Sequence, residues 1–179
     1  IPARISSSRV RKKNIRYLGE IPLISHIIRS AKSSKLAKNI TINSESEIFA
    51  KIAKNENVNF VTGVPDSLLK DICGFMSDKL PPEQHIIATN EGSAIGLAIG
   101  NYLATKFVPL VYLQNSGLGN IINPLVSLAD PSVYGIPMLL MIGWRGEVSE
   151  NKQINDEPQH KKQGKITLDQ LELLNIPYV

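Results

Sequence analysis

Residues 86–120 read IIATNEGSAIGLAIGNYLATKFVPLVYLQNSGLGN. The short apolar run Ile86–Thr89 has the length of a buried strand, and Asn90 stands where a helix N-cap belongs. From Glu91 to Thr105 the residues are small or apolar and contain no proline, which predicts a helix. Phe107 to Leu113 reads as a second strand, and Gly119 to Leu128 as a second helix. Strand, helix, strand and helix in succession make a βαβ unit. Two parallel strands need such a crossover, and the resulting sheet is covered by helices on both faces.

The pattern continues in both directions. Upstream lie a strand over Val58–Thr62, a turn at Gly63-Val64-Pro65 and a helix over Asp66–Leu80. Downstream, Ile136–Ile142 reads as a strand. Glu147 to Gly164 reads as a long polar connection, and Thr167–Leu174 as a helix that runs into a strand near Val179. Connections of that length are uncommon unless they serve a function. Ahead of these, Ile1–Arg4 looks like a strand end and Ile40–Ile42 like a short strand. Pro22–Leu36 has helical spacing, with Leu23, Ile24, Ile27, Ile28 and Ala31 on one face. Ser44 and Glu47 make a capping box for a helix over residues 45–54. No internal repeat or low-complexity segment stands out.

With 179 residues, 42% hydrophobic and 20% charged, the chain has an ordinary globular composition. No apolar run approaches the roughly 18 residues of a membrane span, and no signal peptide is visible. Cys73 is the single cysteine, so no internal disulfide forms, and a reducing cytoplasm is the natural expectation. The net charge of +4 is uneven: residues 1–40 carry +9 and residues 41–179 carry −5. The basic block Arg9–Lys13 suits nucleotide or nucleic-acid phosphates, or it is a solvated surface. The chain begins at Ile1, its first methionine is Met76, and it reads as a fragment of a longer protein.

In a parallel sheet, ligands gather at the carboxyl ends of the strands. Glu91 falls there, in the first turn of its helix. The residues alone allow two readings: a charge that offsets the helix dipole, or a functional carboxylate. Gly96 and Gly100 lie beyond that first turn, where glycine costs about 1 kcal/mol against alanine, and so suggest close backbone approach. Asp66 and Ser67 follow a strand and a turn, where Asp66 is a helix cap, a functional acid, or both. Gln114, Asn115, Ser116, Gly117, Gly119 and Asn120 stand between a strand and a helix, as a loop cap or as amide donors to an anion or a cofactor. Arg145 follows a strand end, and His160 lies in the long polar stretch. No cluster has metal-ligand spacing, and no G-x-S-x-G supports serine catalysis. Cys73, His26 and His85 read as structural.

Four blocks carry a resemblance: NFVTGVPDSLLKDICGFM (59–76), IIATNEGSAIGLAIGNYLAT (86–105), VPLVYLQNSGLGNIINPLVSLADPSVYGIPMLLMIGWRGE (108–147) and DEPQHKKQGKIT (156–167). In this order they resemble the pyrimidine-binding domain of the phosphonopyruvate decarboxylases, over about residues 45–179. These belong to the thiamine diphosphate-dependent 2-oxo acid decarboxylases, and the sulfopyruvate decarboxylases are near neighbours. The resemblance implies the thiamine diphosphate-binding α/β fold and a role for Glu91. That residue matches the glutamate that hydrogen-bonds the cofactor's aminopyrimidine and promotes loss of the thiazolium proton, while the cofactor supplies the hard chemistry. It further implies His160 and Asp66 in proton transfer, and Asn115, Ser116 and Gly117 at the cofactor. Arg145, Ser67 and Gln114 would contact the substrate, the guanidinium gripping an anionic tail.

Residues 1–55 resemble instead the start of an acylneuraminate-type cytidylyltransferase, with Arg4, Ser8, Arg9, Lys13 and Asn14 at matching positions. Ile5 and Ser6 replace the small glycines of that pattern. The expected organisation is therefore a truncated nucleotidyltransferase-like βαβ segment over 1–43, followed by a pyrimidine-binding domain over 44–179. The implied reaction is 3-phosphonopyruvate to phosphonoacetaldehyde and carbon dioxide, or its sulfopyruvate counterpart. Thiamine diphosphate is the expected cofactor, with Mg²⁺ held by a diphosphate-binding domain or subunit. The Gly-Asp-Gly motif of such a domain is absent from these 179 residues, so this piece alone is expected to be inactive. A homo- or hetero-oligomer is implied, with no nucleic-acid or membrane partner. A cytidylyltransferase fragment and a non-catalytic dimerisation module are the competing readings.

Overall fold

The computed structural model describes residues 58–149 and 152–178, together with 17, 18, 20–22, 25, 29 and 39–41. The expectations for residues 1–16, for His26 and for a helix over 45–54 lie outside the described residues. Within the expected helix over 22–36, Ser25 and Arg29 are helical.

Strands β1 (Tyr17–Leu18) and β2 (Ile21–Pro22) form a small antiparallel pair. The main sheet contains β3 (Asn39–Thr41), β4 (Val61–Gly63), β5 (His85–Ile87), β6 (Leu110–Gln114) and β7 (Met138–Gly143). Its order is β3-β7-β6-β4-β5, and every pairing is parallel. The sheet does not stop at residue 43, because Asn39–Thr41 pairs with Met138–Leu140 and supplies one edge.

Helix α1 (Lys70–Lys79) follows β4 through a 3-10 turn, Ser67–Leu69. Helix α2 (Glu91–Thr105) follows β5 and has the bounds the sequence predicts. Asn90 caps it by accepting a hydrogen bond from the Ser93 N–H at 2.8 Å. Lys106 ends it in the left-handed conformation, φ 63°. Strand β6 starts at Leu110 rather than Phe107, since Pro109 precedes it and Phe107 is exposed. Helix α3 (Leu118–Pro124) widens into a π-helical turn, Leu125–Ala129, immediately after Pro124, whose ring nitrogen cannot donate.

The sheet is buried on both faces, as a continuous apolar β6 and β7 require. Val111, Leu113, Leu140 and Ile142 join Ala94, Ile95, Ala98, Ile99, Leu118 and Ile121 in one core. The alternate residues Leu110, Tyr112, Leu139 and Met141 are buried on the opposite face, where Cys73 of α1 lies near Tyr112. There Tyr112 lies across Gly63, so closely that a Cβ at Gly63 would overlap its ring and its carbonyl.

Three expectations are corrected. The stretch 147–164 is not a long loop: it forms the hairpin β8 (Val148–Ser149) and β9 (Lys152–Gln153), and helix α4 runs over Pro158–Leu173. Pro158 starts that helix at a position where a missing N–H costs nothing. His160 therefore sits in a first helical turn. Residues 176–178 form no strand. Finally, a Cβ at Gly96 or Gly100 would meet nothing within 4 Å, so the close approach lies elsewhere. Among the described residues no helix is long and apolar enough to cross a membrane.

Candidate active site

The residues singled out in the sequence follow the carboxyl ends of four parallel strands. Asp66 and Ser67 follow β4, Glu91 follows β5, Gln114 ends β6 with Asn115 to Gly117 after it, and Arg145 follows β7. They form two clusters joined by the turn after β6.

The first cluster is built on Glu91. Its Oε2 accepts a hydrogen bond from Asn120 Nδ2 at 2.7 Å. Its side chain lies against Gly117, where an added Cβ would sit 2.5 Å from Glu91 Cγ and 2.6 Å from Oε1. Only glycine leaves that room. Two strands that do not pair, β5 and β6, thus bring a carboxylate and a bare backbone together, with β4 between them. The chemistry is that of a charged acceptor at a helix N-terminus with one oxygen held by an amide.

The second cluster gathers Asp66, Ser67, Arg145, His160 and a residue the sequence did not single out, Asp156. Arg145 Nε and Nη2 donate to Asp156 Oδ2 and Oδ1 at 2.7 and 2.6 Å. Arg145 Nη1 donates to Ser67 Oγ at 3.0 Å. His160 Nδ1 lies 2.9 Å from Asp156 Oδ1. Asp66 is buried, and its Oδ2 accepts from the Leu68 N–H at 2.9 Å. It also packs so tightly on Gly143 that a Cβ there would overlap the carboxylate. Burial pushes the Asp66 carboxyl above its ordinary range, against the Leu68 N–H and the charges of Arg145 and His160. Asp156 goes the other way: hydrogen bonds from Arg145 and His160 hold it well below the carboxylate range.

Asn115 is fully buried and joins the turn to this cluster. Its amide donates to the Arg145 carbonyl at 3.0 Å and to Thr167 Oγ1 at 2.9 Å, and its oxygen accepts from the Arg145 N–H at 3.2 Å. Both its amide protons are thus used inside the chain. Gln114 Nε2 donates to Ser116 Oγ at 2.6 Å. Trp144 Nε1 donates to the Gly164 carbonyl at 3.0 Å. A Cβ at Gly164 would run into the Gly146 carbonyl, and Gly146 itself has φ +62°. These contacts press the first turns of α4 onto the turn after β7 and so bring His160 to Arg145.

His85 stands apart from both clusters, whereas Cys73 lies beside Asp66. His85 Nε2 pairs with Tyr112 Oη at 3.0 Å, and burial lowers its pKa. Burial pushes the Cys73 thiol up to about 11, which leaves it a poor nucleophile. Among the described residues no group of three or more His, Cys, Asp or Glu side chains is placed to hold a metal ion.

Asp156 was missed, although one signal for it was present. Asp156 stands four residues before His160, the spacing that places two side chains on one face of a helical turn. Asn120 was legible as one of the amides of the QNSGLGN stretch, but nothing local points it towards a residue 29 positions away.

Residues 44–173 match the family described as thiamine pyrophosphate enzyme, N-terminal TPP binding domain. Residues 1–71 match the cytidylyltransferase family. The sulfopyruvate decarboxylase subunit alpha of Methanococcus maripaludis is 38% identical over 135 residues, which cover 74% of this chain and 74% of that subunit. Its counterpart from Methanothermobacter thermautotrophicus is 31% identical over 137 residues, 76% of this chain and 77% of that one. The phosphonopyruvate decarboxylase of Streptomyces viridochromogenes is 38% identical over 122 residues, 68% of this chain and 28% of that enzyme. The chain thus spans about three quarters of the alpha subunits and little more than a quarter of the longer enzyme.

Proposed function

Since this chain belongs to the thiamine pyrophosphate enzymes, matched over residues 44–173, we propose that it forms the pyrimidine-binding half of a 2-oxo acid decarboxylase. The substrate is a 2-oxo acid with an anionic tail, and the reaction is 3-phosphonopyruvate to phosphonoacetaldehyde and carbon dioxide. One carbon–carbon bond breaks, carbon dioxide leaves, and the former carbonyl carbon takes up one proton. Bound thiamine diphosphate supplies the electron sink for that cleavage.

The observation that carries the proposal is Glu91 lying over Gly117 with Asn120 on one oxygen. That geometry suits a flat aminopyrimidine, because the missing side chain at Gly117 leaves room for Glu91 to lie there and, among the described residues, no side chain donates to Glu91 Oε1. Glu91 would hold a proton at a ring nitrogen. Ser116 and Gly117 complete the wall. Asn115 acts by fixing the Arg145 backbone, since both its amide protons are spent. Asp66, whose carboxyl burial pushes above its ordinary range, and His160 would hand the new proton to the product carbon. Arg145 Nη1 and Ser67 Oγ would hold the anionic tail, the Nε edge being occupied by Asp156. Mg²⁺ and the diphosphate would be held by a second domain or subunit carrying the Gly-Asp-Gly motif that this chain lacks.

The test is Glu91→Gln in the enzyme assembled with such a diphosphate-binding partner. The fold should survive, and exchange of the cofactor's C2 proton, followed by NMR, should fall steeply. Exchange at the wild-type rate would remove Glu91 from the role.

A second reading has one observation in its favour. The chain covers 74% of a sulfopyruvate decarboxylase alpha subunit against 28% of the phosphonopyruvate enzyme. It fits a two-chain enzyme acting on a sulfonate tail. Comparing kcat/KM for phosphonopyruvate and sulfopyruvate in the same assembly separates the two.

A further inference from the structure

Asp156 lies just before α4, one turn from His160, and draws three residues to one carboxylate. Its Oδ2 accepts from Arg145 Nε at 2.7 Å. Its Oδ1 accepts from Arg145 Nη2 at 2.6 Å and from the Glu157 N–H at 2.9 Å, and faces His160 Nδ1 at 2.9 Å. The three side chains are mostly covered: 13% of Asp156, 23% of Arg145 and 17% of His160 remain exposed. We propose that Asp156 is a positioning residue, which sets the tautomer of His160 and the orientation of Arg145 together. Its consequence for catalysis rests on the decarboxylase reading, whereas its geometry does not.

The chemistry follows from what a carboxylate can accept. An ionised carboxylate has no proton to give, so the imidazole nitrogen facing it must carry one. In the neutral ring that places the proton on Nδ1 and leaves Nε2 as the free acceptor. Without Asp156 either nitrogen could hold the proton, and the Nε2–H form would present a donor where an acceptor is needed. The guanidinium is planar, so gripping Nε and Nη2 fixes the whole plane and fixes where Nη1 points. It points to Ser67 Oγ. On the other side Asn115 holds the Arg145 backbone, so neither end of the residue can drift. One carboxylate therefore coordinates a proton carrier and a tail-holding cation that come from different elements. Asp66 faces both the Arg145 and the His160 charges and completes the ring of groups.

The test needs a readout independent of turnover. The full chain, labelled with ¹⁵N-histidine, is compared as wild type and as Asp156→Ala by long-range ¹H–¹⁵N correlation at a pH where the ring is neutral. His160 is assigned from the signal lost in His160→Gln. The wild type should show His160 with its proton on Nδ1, and Asp156→Ala should show a substantial Nε2–H population. An unchanged Nδ1–H signal in a folded Asp156→Ala chain would overturn the proposal. Should the alanine variant fail to fold, Asp156→Leu keeps a similar side-chain shape, offers no acceptor and is read in the same way.

Kinetics in the assembled enzyme form the second arm. Asp156→Ala should both lower kcat and raise KM for the anionic-tailed acid, each by about 10–100-fold, the worth of a charge-assisted hydrogen bond. Its kcat loss should not add to that of His160→Gln. A change in only one of the two parameters would sink the double role. A wild-type assembly inactive on both acids would sink the decarboxylase reading instead, and the NMR result would still judge the positioning.

Discussion

Asp66 and Asp156 approach the same guanidinium and titrate in opposite directions, because one is governed by burial and the other by its partners. For Asp66 the folded pKa lies above the unfolded one, so the folded chain keeps this proton to a higher pH. Its contribution to stability is full below the ordinary carboxylate range and is lost as pH rises through the raised value. Asp66→Asn keeps the cap to Leu68 and cannot ionise. Its melting temperature, measured against wild type at about pH 4 and about pH 7, should gain on wild type at the higher pH; a constant difference would show that Asp66 ionises without penalty. For Asp156 the sign reverses: its stabilisation is present above the ordinary range and fades as acid protonates it. Arg145 and His160 separate by substrate. Arg145→Ala should weaken binding of the anionic-tailed acid, costing about 1.5–3 kcal/mol, and spare plain pyruvate. His160→Ala should lower turnover on both by about 10²–10⁴-fold. Steady-state kinetics on the two acids decide it: equal losses for Arg145→Ala, or unchanged turnover for His160→Ala, would reject the assignment. The candidate positions were legible as residue types beside strand ends. Their partners were not, because Arg145 meets a serine 78 residues away and Glu91 meets Asn120 across an intervening strand.

At the level of elements, α2 and α4 show why one helix was readable and the other was not. Helix α2 has an asparagine cap and apolar residues at Ile95, Ala98 and Ile99 on its buried side, the pattern a sequence displays directly. Helix α4 buries Gly164, Thr167 and Leu171 at helical spacing. Two of those three are small or polar, so its first turns look like solvent-facing loop. What holds α4 down is backbone contact at Gly146 and Gly164, which no hydropathy pattern reports. Gly164→Ala should therefore destabilise the chain by about 1–3 kcal/mol, as overpacking does, and chemical denaturation would measure it. Gly96→Ala should do the opposite. Its added methyl meets open space within the helix, and the chain should gain about 1 kcal/mol. A loss at Gly96 would mean that something covers that face.

The molecule as a whole joins a stretch similar to cytidylyltransferases, residues 1–71, to one similar to thiamine pyrophosphate enzymes, residues 44–173. The +9 charge of residues 1–40 predicts weak binding of nucleoside triphosphates that fades with salt, and no turnover. Calorimetry with CTP at low and high salt tests this. Micromolar affinity that persists at high salt, with pyrophosphate release, would mean a working transferase. By itself the sequence determined the parallel α/β class, the bounds of α2, the family and the strand ends beside which the candidate residues lie. All of these are written in local periodicity and in contiguous motifs. The tertiary structure alone decided the strand order β3-β7-β6-β4-β5, the use of Asn39–Thr41 as an edge, and the meeting of Asp156, Arg145, His160 and Ser67. Those outcomes depend on which distant strands lie side by side and on how closely two backbones approach. Packing sets both, and no stretch of neighbouring residues encodes them.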